Sequence, residues 1–315
     1  MYKHLEYIST VGMTHDEWLK NRMESIGGSD AAAIVGLSAY SSPYSVWADK
    51  VGLTPPKEDN EAMRQGRDLE EYVAQRFTEE TGKKVRRRNA IIRNPDFLFA
   101  HANVDRLIVG EDAGLECKTT SVLNLKKFAN GEYPANYYVQ CMHYMMVTGC
   151  RKWYLAVLIL GKEFKVFEIE RNEEEIDALK KCEEEFFGYV MSRNEPPADG
   201  SKATADAINT IYRDSADGQK CDLTPLDTQI RILLNIKKAI KEKEDDLRAC
   251  ESAIKQYMGS AETGESAIAK VSWKTQTRRT FDSKKFIADC PGFDAGKYMR
   301  ETSTRTFRVT EIDSN

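Results

Sequence analysis

The chain predicts an α/β (α+β) fold, a mixed central sheet flanked by helices, followed by a long C-terminal helix and a β-like tail. Three observations predict it. Helical patterns come first along residues 1–195, then consecutive strand-like runs, then a helix and further strands, an order that suits a mixed sheet. The 315 residues are 41% hydrophobic and 30% charged, enough to bury a real core and incompatible with general disorder, collagen or coiled coil throughout. Late in the chain, Leu226, Leu233, Ile240, Leu247 and Ile254 recur every seven positions. Ile236, Cys250 and Tyr257 flank that seam, which is helix-packing or coiled-coil spacing.

Each element has a local cause. Residues 14–23 read as a helix, with Thr14 as cap and Glu17 three residues on. Gly27 and Gly28 break the chain, and Ser29 or Asp30 is expected to cap a short Ala-rich helix. Pro43 suits the first position of the next helix. Residues 60–80 place Met63, Leu69, Val73 and Phe77 on one helical face. Strands are expected at 85–92, 97–109 and 114–119, a helix at 134–147, strands at 153–159 and 164–169 with Gly161 in the turn, and a strongly acidic helix at 172–191. Residues 196–225, rich in Pro, Gly, Ser, Ala and Asp, read as a linker or a loosely packed segment. Residues 226–315 read as a C-terminal helical arm and tail. At 1.5 Å per residue the helix over 226–258 spans about 50 Å. It is either an arm folded on its own domain or a surface for self-association or a partner.

Composition narrows the setting. With 46 basic and 50 acidic residues the net charge is −4, so nucleic-acid binding needs positive charge gathered on one face. No uncharged apolar run approaches the ~18 residues that span a bilayer, and no apolar signal core opens the chain. The seven cysteines are scattered and form no CxxC pair, against both a disulfide framework and a zinc finger. A cytoplasmic protein with reduced thiols is expected.

The chemistry is concentrated in HANVDRLIVGEDAGLECKTTS. Asp105 stands eleven positions before Glu116, and Glu116 and Lys118 flank Cys117. In a strand over 115–119, Glu116 and Lys118 point to one face. A hairpin through the turn at 110–114 can bring Asp105 beside Glu116. Two adjacent carboxylates repel and call for a cation; Mg²⁺ takes oxygen ligands and suits an Asp/Glu pair. Carboxylates, a hard metal and a lysine that orients a water together make a site for phosphodiester hydrolysis.

The neighbouring segments are specific. GGSDAAAIVG…YSSPYSVWADKVG, MRQGRDLEEYVAQRF, HANVDRLIVGEDAGLECKT and YYVQCMHYMMVTG, in that order over about residues 20–170, resemble the YqaJ viral recombinase group. That group is related to lambda exonuclease and belongs to the PD-(D/E)xK nuclease superfamily. Val104 stands where the superfamily name has Pro. The resemblance implies a restriction-endonuclease-like nuclease domain over residues 1–195. It implies that Asp105 and Glu116 are metal-binding acids, with the Cys117 carbonyl as a further ligand, and that Lys118 is the catalytic lysine. Glu70 would be the helix acid that helps hold a metal, and Gln140 the glutamine that positions the nucleophile or the lysine. Arg22, Gly27 and Ser29 align with the segment that grips a 5′-phosphate, although Gly27 lacks a hydroxyl found nearby in the lambda enzyme. Judged by residue type alone, Ser29 is a helix cap, Glu70 a solvated helix face and Gln140 a buried amide. Arg22 supplies a planar fork for phosphate, and helix N-terminal amides suit an anion. His101 reads as a strand residue near the site rather than a metal ligand.

Two basic runs, 83–93 and 270–279, the second with Trp273 among its cations, suit phosphate contact or base stacking, or simply form solvated faces. The acidic helix should face away from DNA. The activity implied by the resemblance is a 5′ to 3′ exonuclease on linear double-stranded DNA that leaves 3′ single strands for recombination by annealing. It would use two Mg²⁺ ions per site, with Mn²⁺ as a substitute, and release 5′-mononucleotides. A ring-shaped homotrimer, a RecT-type annealing partner, and phage or prophage origin are implied likewise. An endonuclease on the same metal site is the alternative. A non-catalytic DNA-binding scaffold is disfavoured, because Asp105, Glu116 and Lys118 are all present.

Overall fold

Capping signals set several boundaries in the computed structural model, which describes residues 4–56, 59–290, 292–301 and 304–311. Strand β1 (Glu6–Ser9) leads to α1 (His15–Met23). Thr14 accepts the Glu17 N–H at 3.2 Å and Glu17 accepts the Thr14 N–H at 2.8 Å, a reciprocal capping box. Helix α2 (Gly28–Ile34) starts two residues earlier than a Ser29 cap predicts, and three earlier than an Asp30 cap predicts. Its cap is Gly27, and Asp30 reaches back from inside the first turn to accept the Gly27 N–H at 3.1 Å. Ser29 therefore lies within the helix and caps nothing.

Helix α3 (Pro43–Lys50) has the expected proline at its start and Ser42 as cap. In α4 (Glu61–Thr81), capped by Asn60 and ended by left-handed Gly82, the apolar face buries Val73, Ala74 and Phe77, while Met63 remains exposed. The run over 85–92 divides into β2 (Val85–Arg86) and β3 (Ala90–Arg93), which join different sheets. The run over 97–109 divides in the same way into β4 (His101–Ala102) and β5 (Arg106–Ile108). Period-two patterning marks extended chain but not the partner it pairs with. Then follow β6 (Ala113–Thr120), a 3₁₀ segment at Val122–Gly131, α5 (Ala135–Thr148), β7 (Lys152–Ile159), β8 (Glu163–Glu170) and α6 (Glu173–Ser192).

The central sheet has the order β2-β5-β6-β7-β8. Strands β6 and β7 run parallel and the other neighbours antiparallel, so the sheet is mixed. Strands β1, β3 and β4 form a second, antiparallel sheet. Alternation along β6 sends its side chains to two cores. Leu115 joins Val73, Phe77 and Tyr154 under α4. Leu155, the register partner of Glu116, belongs to the larger core that α5 contributes to, with Met145 and Trp153. Glu116 thus faces α5. Gly114 is required by that packing, because a Cβ there would lie 2.3 Å from the buried Trp153 ring.

The described chain forms two compact units, Met1–Tyr212 and Arg213–Asn315. Part of the stretch expected to be loose is ordered helix. Helix α7 (Lys202–Ile211) is capped by Ser201, and Thr204 donates to Ser42 at 2.7 Å in a buried contact that fastens it to the cap of α3. Its Ala207 and Ile208 join the larger core. A Pro- and Gly-rich composition marks the turns around this helix and hides the helix itself. In the second unit, α8 (Asp227–Met258) is the expected long helix; none of its residues is buried, and Ile236, Ile240, Leu247 and Ile254 are exposed. Strands β9 (Thr263–Glu265) and β10 (Lys270–Ser272) form a hairpin, and α9 (Ser283–Asp289) follows. Among the described residues no helix is long and apolar enough to cross a membrane.

Candidate active site

The β5–β6 hairpin creates the site. Arg106 pairs with Leu115 and Leu107 with Gly114. One step further along the same register sets Asp105 opposite Glu116. The Cys117 N–H donates to Asp105 Oδ2 at 2.7 Å and fixes the carboxylate against β6. Lys118, two residues beyond Glu116 on the same face, brings its Nζ to 2.5 Å from Glu116 Oε1. From α5, Gln140 donates to the same Glu116 oxygen at 2.7 Å. Gln140 therefore orients Glu116 rather than Lys118. Its amide also lies 2.8 Å from the Tyr144 hydroxyl, one turn along the helix.

Electrostatics concentrate negative charge here. Burial and the neighbouring Glu116 push the Asp105 carboxyl well above the usual carboxylate range, with Lys118 opposing. Burial alone lowers a lysine, but Glu116 and Asp105 outweigh it and raise Lys118 above its ordinary value, so it remains an ammonium. The other oxygen of Glu116, Oε2, is buried and has no hydrogen-bond partner among the described residues. A half-buried Asp, a buried Glu with one bare oxygen, and the Cys117 carbonyl between Glu116 and Lys118 form an all-oxygen donor set that fits a hard divalent cation. Asp105, Glu116 and the Cys117 carbonyl would hold it.

Glu70 does not face that pair directly. Side chains alternate, so Arg106 points to the α4 side of the sheet while Asp105 and Glu116 take the other. There the buried Arg106 binds Glu70 at 2.5 Å and Glu71 at 2.8 Å, and Arg87 adds a second contact to Glu70 at 3.3 Å. Among the described residues no three His, Cys, Asp or Glu side chains gather as a ligand cluster. Glu70 and Asp105 nonetheless line one cleft of about 370 Å³, with Arg67, Arg87, Arg88 and Asn103. The basic run that enters this cleft is largely engaged: Lys83 pairs with Glu111, Arg93 with Glu24 at 3.1 Å, and Arg88 covers Tyr7.

Arg22 and Ser29 meet, with Arg22 Nη2 donating to Ser29 Oγ at 2.6 Å. Gly27 is buried beside them, under the His101 ring. His101 binds Ser25 Oγ through Nδ1 at 2.8 Å, and burial together with Lys50 lowers its pKa to about 3, so it is a neutral strand residue. Tyr144 connects the two clusters. It contacts Gln140 at one end, and its ring lies where a Cβ on Gly28 would fall, 2.5 Å away. Sequence reasoning missed Tyr144, Arg106 and Lys50, and read Asp30 only as a possible helix cap rather than as the partner of Lys50. The i, i+4 spacing of Gln140 and Tyr144 on a helix facing the site was the available signal. Sequence reasoning also missed the place of Glu183 in the acidic helix. It is buried, and His143 Nδ1 lies 2.7 Å from its carboxylate.

The curated protein YqaJ of Bacillus subtilis (strain 168), described as uncharacterized, is 41% identical over 305 residues, covering 95% of each chain. The chain belongs to the YqaJ-like viral recombinase family. The family's domain model matches residues 17–151, the segment that carries Arg22, Ser29, Asp105, Glu116, Lys118 and Gln140. Among solved structures, an alkaline exonuclease from Laribacter hongkongensis superposes with a TM-score of 0.50 at 21% identity, over 56% of this chain and 93% of that one. The same enzyme in complex with dAMP superposes at 0.49, also at 21% identity and over the same shares. The 0.50 superposition shows that this chain shares its architecture, a mixed central sheet flanked by helices, with the alkaline exonuclease.

Proposed function

We propose that this YqaJ-family protein is a Mg²⁺-dependent nuclease that digests linear duplex DNA from 5′ ends and leaves 3′ single strands. The observation that carries the reading is the convergence of Asp105, Glu116, Lys118 and Gln140, with one buried Glu116 oxygen left bare for a cation. Family membership and the fold shared with an alkaline exonuclease support it. A bound divalent metal supplies charge neutralisation and polarisation of the scissile phosphate.

The chain's own residues do the rest. Asp105, Glu116 and the Cys117 carbonyl hold the cation. Gln140 keeps the Glu116 carboxylate turned toward it. Lys118, as an ammonium, donates to the attacking water or to a phosphate oxygen and offsets charge that develops in the transition state. The water oxygen bonds to phosphorus as the P–O3′ bond breaks. The liberated 3′ oxygen takes a proton, and the phosphate remains on the shortened strand. Each turnover then regenerates a 5′-phosphorylated end, which Arg22 and Ser29 would grip; their hydrogen bond to each other supports that reading. Glu70, held by Arg106, acts at a distance on a second ion. A closed ring of three copies, a RecT-type annealing partner, a cytoplasmic setting and phage or prophage origin complete the proposal.

The test is a nuclease assay with Mg²⁺ on matched linear and covalently closed circular duplexes, the linear ones bearing 5′-phosphate or 5′-hydroxyl. Loss of linear DNA alone, faster with 5′-phosphate and abolished by Lys118→Ala, is the expected result. Cutting of the closed circle would replace the exonuclease with an endonuclease on the same site.

A further inference from the structure

Behind Arg22 lies a buried ion pair that the hydrolytic site does not use. Lys50, at the end of α3, has a side chain only 5% exposed. Its Nζ lies 2.8 Å from Asp30 Oδ2 and donates to two backbone carbonyls, Arg22 at 3.1 Å and Ser25 at 2.8 Å. These three acceptors match the three ammonium protons. Asp30 in turn accepts the Gly27 N–H through Oδ2, and its Oδ1 lies 3.3 Å from Arg22 Nη2.

An apolar side chain of similar volume could fill this space without the cost of desolvating two charges. The pair does two things that an apolar filler does not. It ties the carbonyls of Arg22 and Ser25 to the first turn of α2, so the end of α1 is held in register with Ser29. It also satisfies most of the Asp30 charge from behind, so that Arg22 makes only its longer, 3.3 Å contact there and keeps its short bond to the Ser29 hydroxyl. Two cations share one carboxylate, and the set carries one net positive charge. Its partly exposed member is Arg22, whose side chain is 36% exposed.

We infer that Lys50 and Asp30 are positioning residues that present Arg22 and Ser29 to the terminal 5′-phosphate of the DNA strand. This rests on the proposed reading of Arg22 and Ser29 as a phosphate grip. Neither Lys50 nor Asp30 touches the phosphate itself. They set where the guanidinium points, and they keep the carboxylate from competing for it.

The experiment compares initial rates on linear duplexes ending in 5′-phosphate or 5′-hydroxyl for the full chain and for Lys50→Met, Asp30→Asn, Lys50→Arg and Arg22→Ala. The inference expects Lys50→Met and Asp30→Asn to lower the phosphate-to-hydroxyl rate ratio roughly tenfold, through KM rather than kcat. Lys50→Arg, which keeps the cation and can reach the same acceptors, should restore most of the ratio. The double variant Lys50→Met/Asp30→Leu leaves no unpaired buried charge, only the Gly27 N–H and the Arg22 and Ser25 carbonyls without these partners, so it should still fold, with a modestly lower melting temperature, and lose the ratio. An unchanged ratio in the double variant, or an equal slowing on both ends, overturns the inference and reduces the pair to a prop for the fold. If Arg22→Ala loses the ratio while Lys50→Met keeps it, only the inference fails. If the unaltered chain shows no preference for 5′-phosphate, the phosphate grip fails and the inference with it.

Discussion

Arg106 Nη1 lies 2.5 Å from Glu70 Oε1, so the helix acid of α4 is paired with a buried arginine beside the cleft that it shares with Asp105. Glu70 shares a cleft with Asp105 and helps to raise its carboxyl, but its own charge is already paired. Among the described residues no arginine pairs with Asp105 or Glu116, whereas Glu70 has Arg106 and Arg87.

The acids should therefore differ in their response to substitution. Glu70→Gln is expected to raise the Mg²⁺ concentration needed for half-maximal rate by about 10–100-fold and to leave much of the rate at saturation. Asp105→Asn is expected to lower the saturated rate on the order of 100-fold or more. A Mg²⁺ titration of both variants checks this. Equal loss of saturated rate in the two would place Glu70 on the metal directly.

Gly28 and Tyr144 pack without room for a methyl group. A Cβ at Gly28 would fall 2.5 Å from the Tyr144 ring, which also anchors Gln140. Gly28→Ala should cost about 1–3 kcal/mol of stability by overpacking. It should also slow hydrolysis, because Tyr144 and then Gln140 must move. Denaturant unfolding and initial rates check the two effects. A variant with unaltered rate would show that Gln140 keeps its aim without Tyr144.

The buried pair of His143 and Glu183 joins α5 to α6 and makes stability depend on pH. Burial by itself lowers the His143 pKa, but the Glu183 carboxylate at 2.7 Å outweighs it and raises the value above the ordinary 6.5. A group raised in the folded state contributes its full stability below pH 6.5 and loses it as pH climbs through the folded value. The melting temperature should fall from pH 6.5 upward. In Glu183→Gln, where the ionic partner is gone, the fall should be shallower. Parallel curves for the two proteins would contradict this.

Much of the site was legible because its causes are local. The Glu116–Lys118 relationship follows from strand alternation, and the approach of Asp105 follows from a hairpin closed by glycines at 110 and 114. The cap at Thr14 and the seven-residue spacing of α8 are equally local. What escaped depends on partners far along the chain. Arg106 lies beside Asp105 in sequence, yet its role comes from α4, 35 residues away or more. Glu183 looked like one solvated acid among many, and only the placement of His143 distinguishes it. Helix α7 sits in a stretch whose composition resembles a linker, and its anchor, Ser42, is 162 residues distant. The cap of α2 is Gly27 rather than Ser29 or Asp30, because Asp30 lies inside the first turn and is paired with Lys50 from another helix.

The most direct measurement follows acid-soluble nucleotide release from uniformly labelled linear duplex as Mg²⁺ is titrated, for the unaltered chain and for Glu116→Gln. The account predicts saturable, Mg²⁺-dependent release of 5′-mononucleotides by the first and loss on the order of 100-fold or more by the second. Release without added Mg²⁺ in the presence of a chelator, or full release by Glu116→Gln, would contradict it.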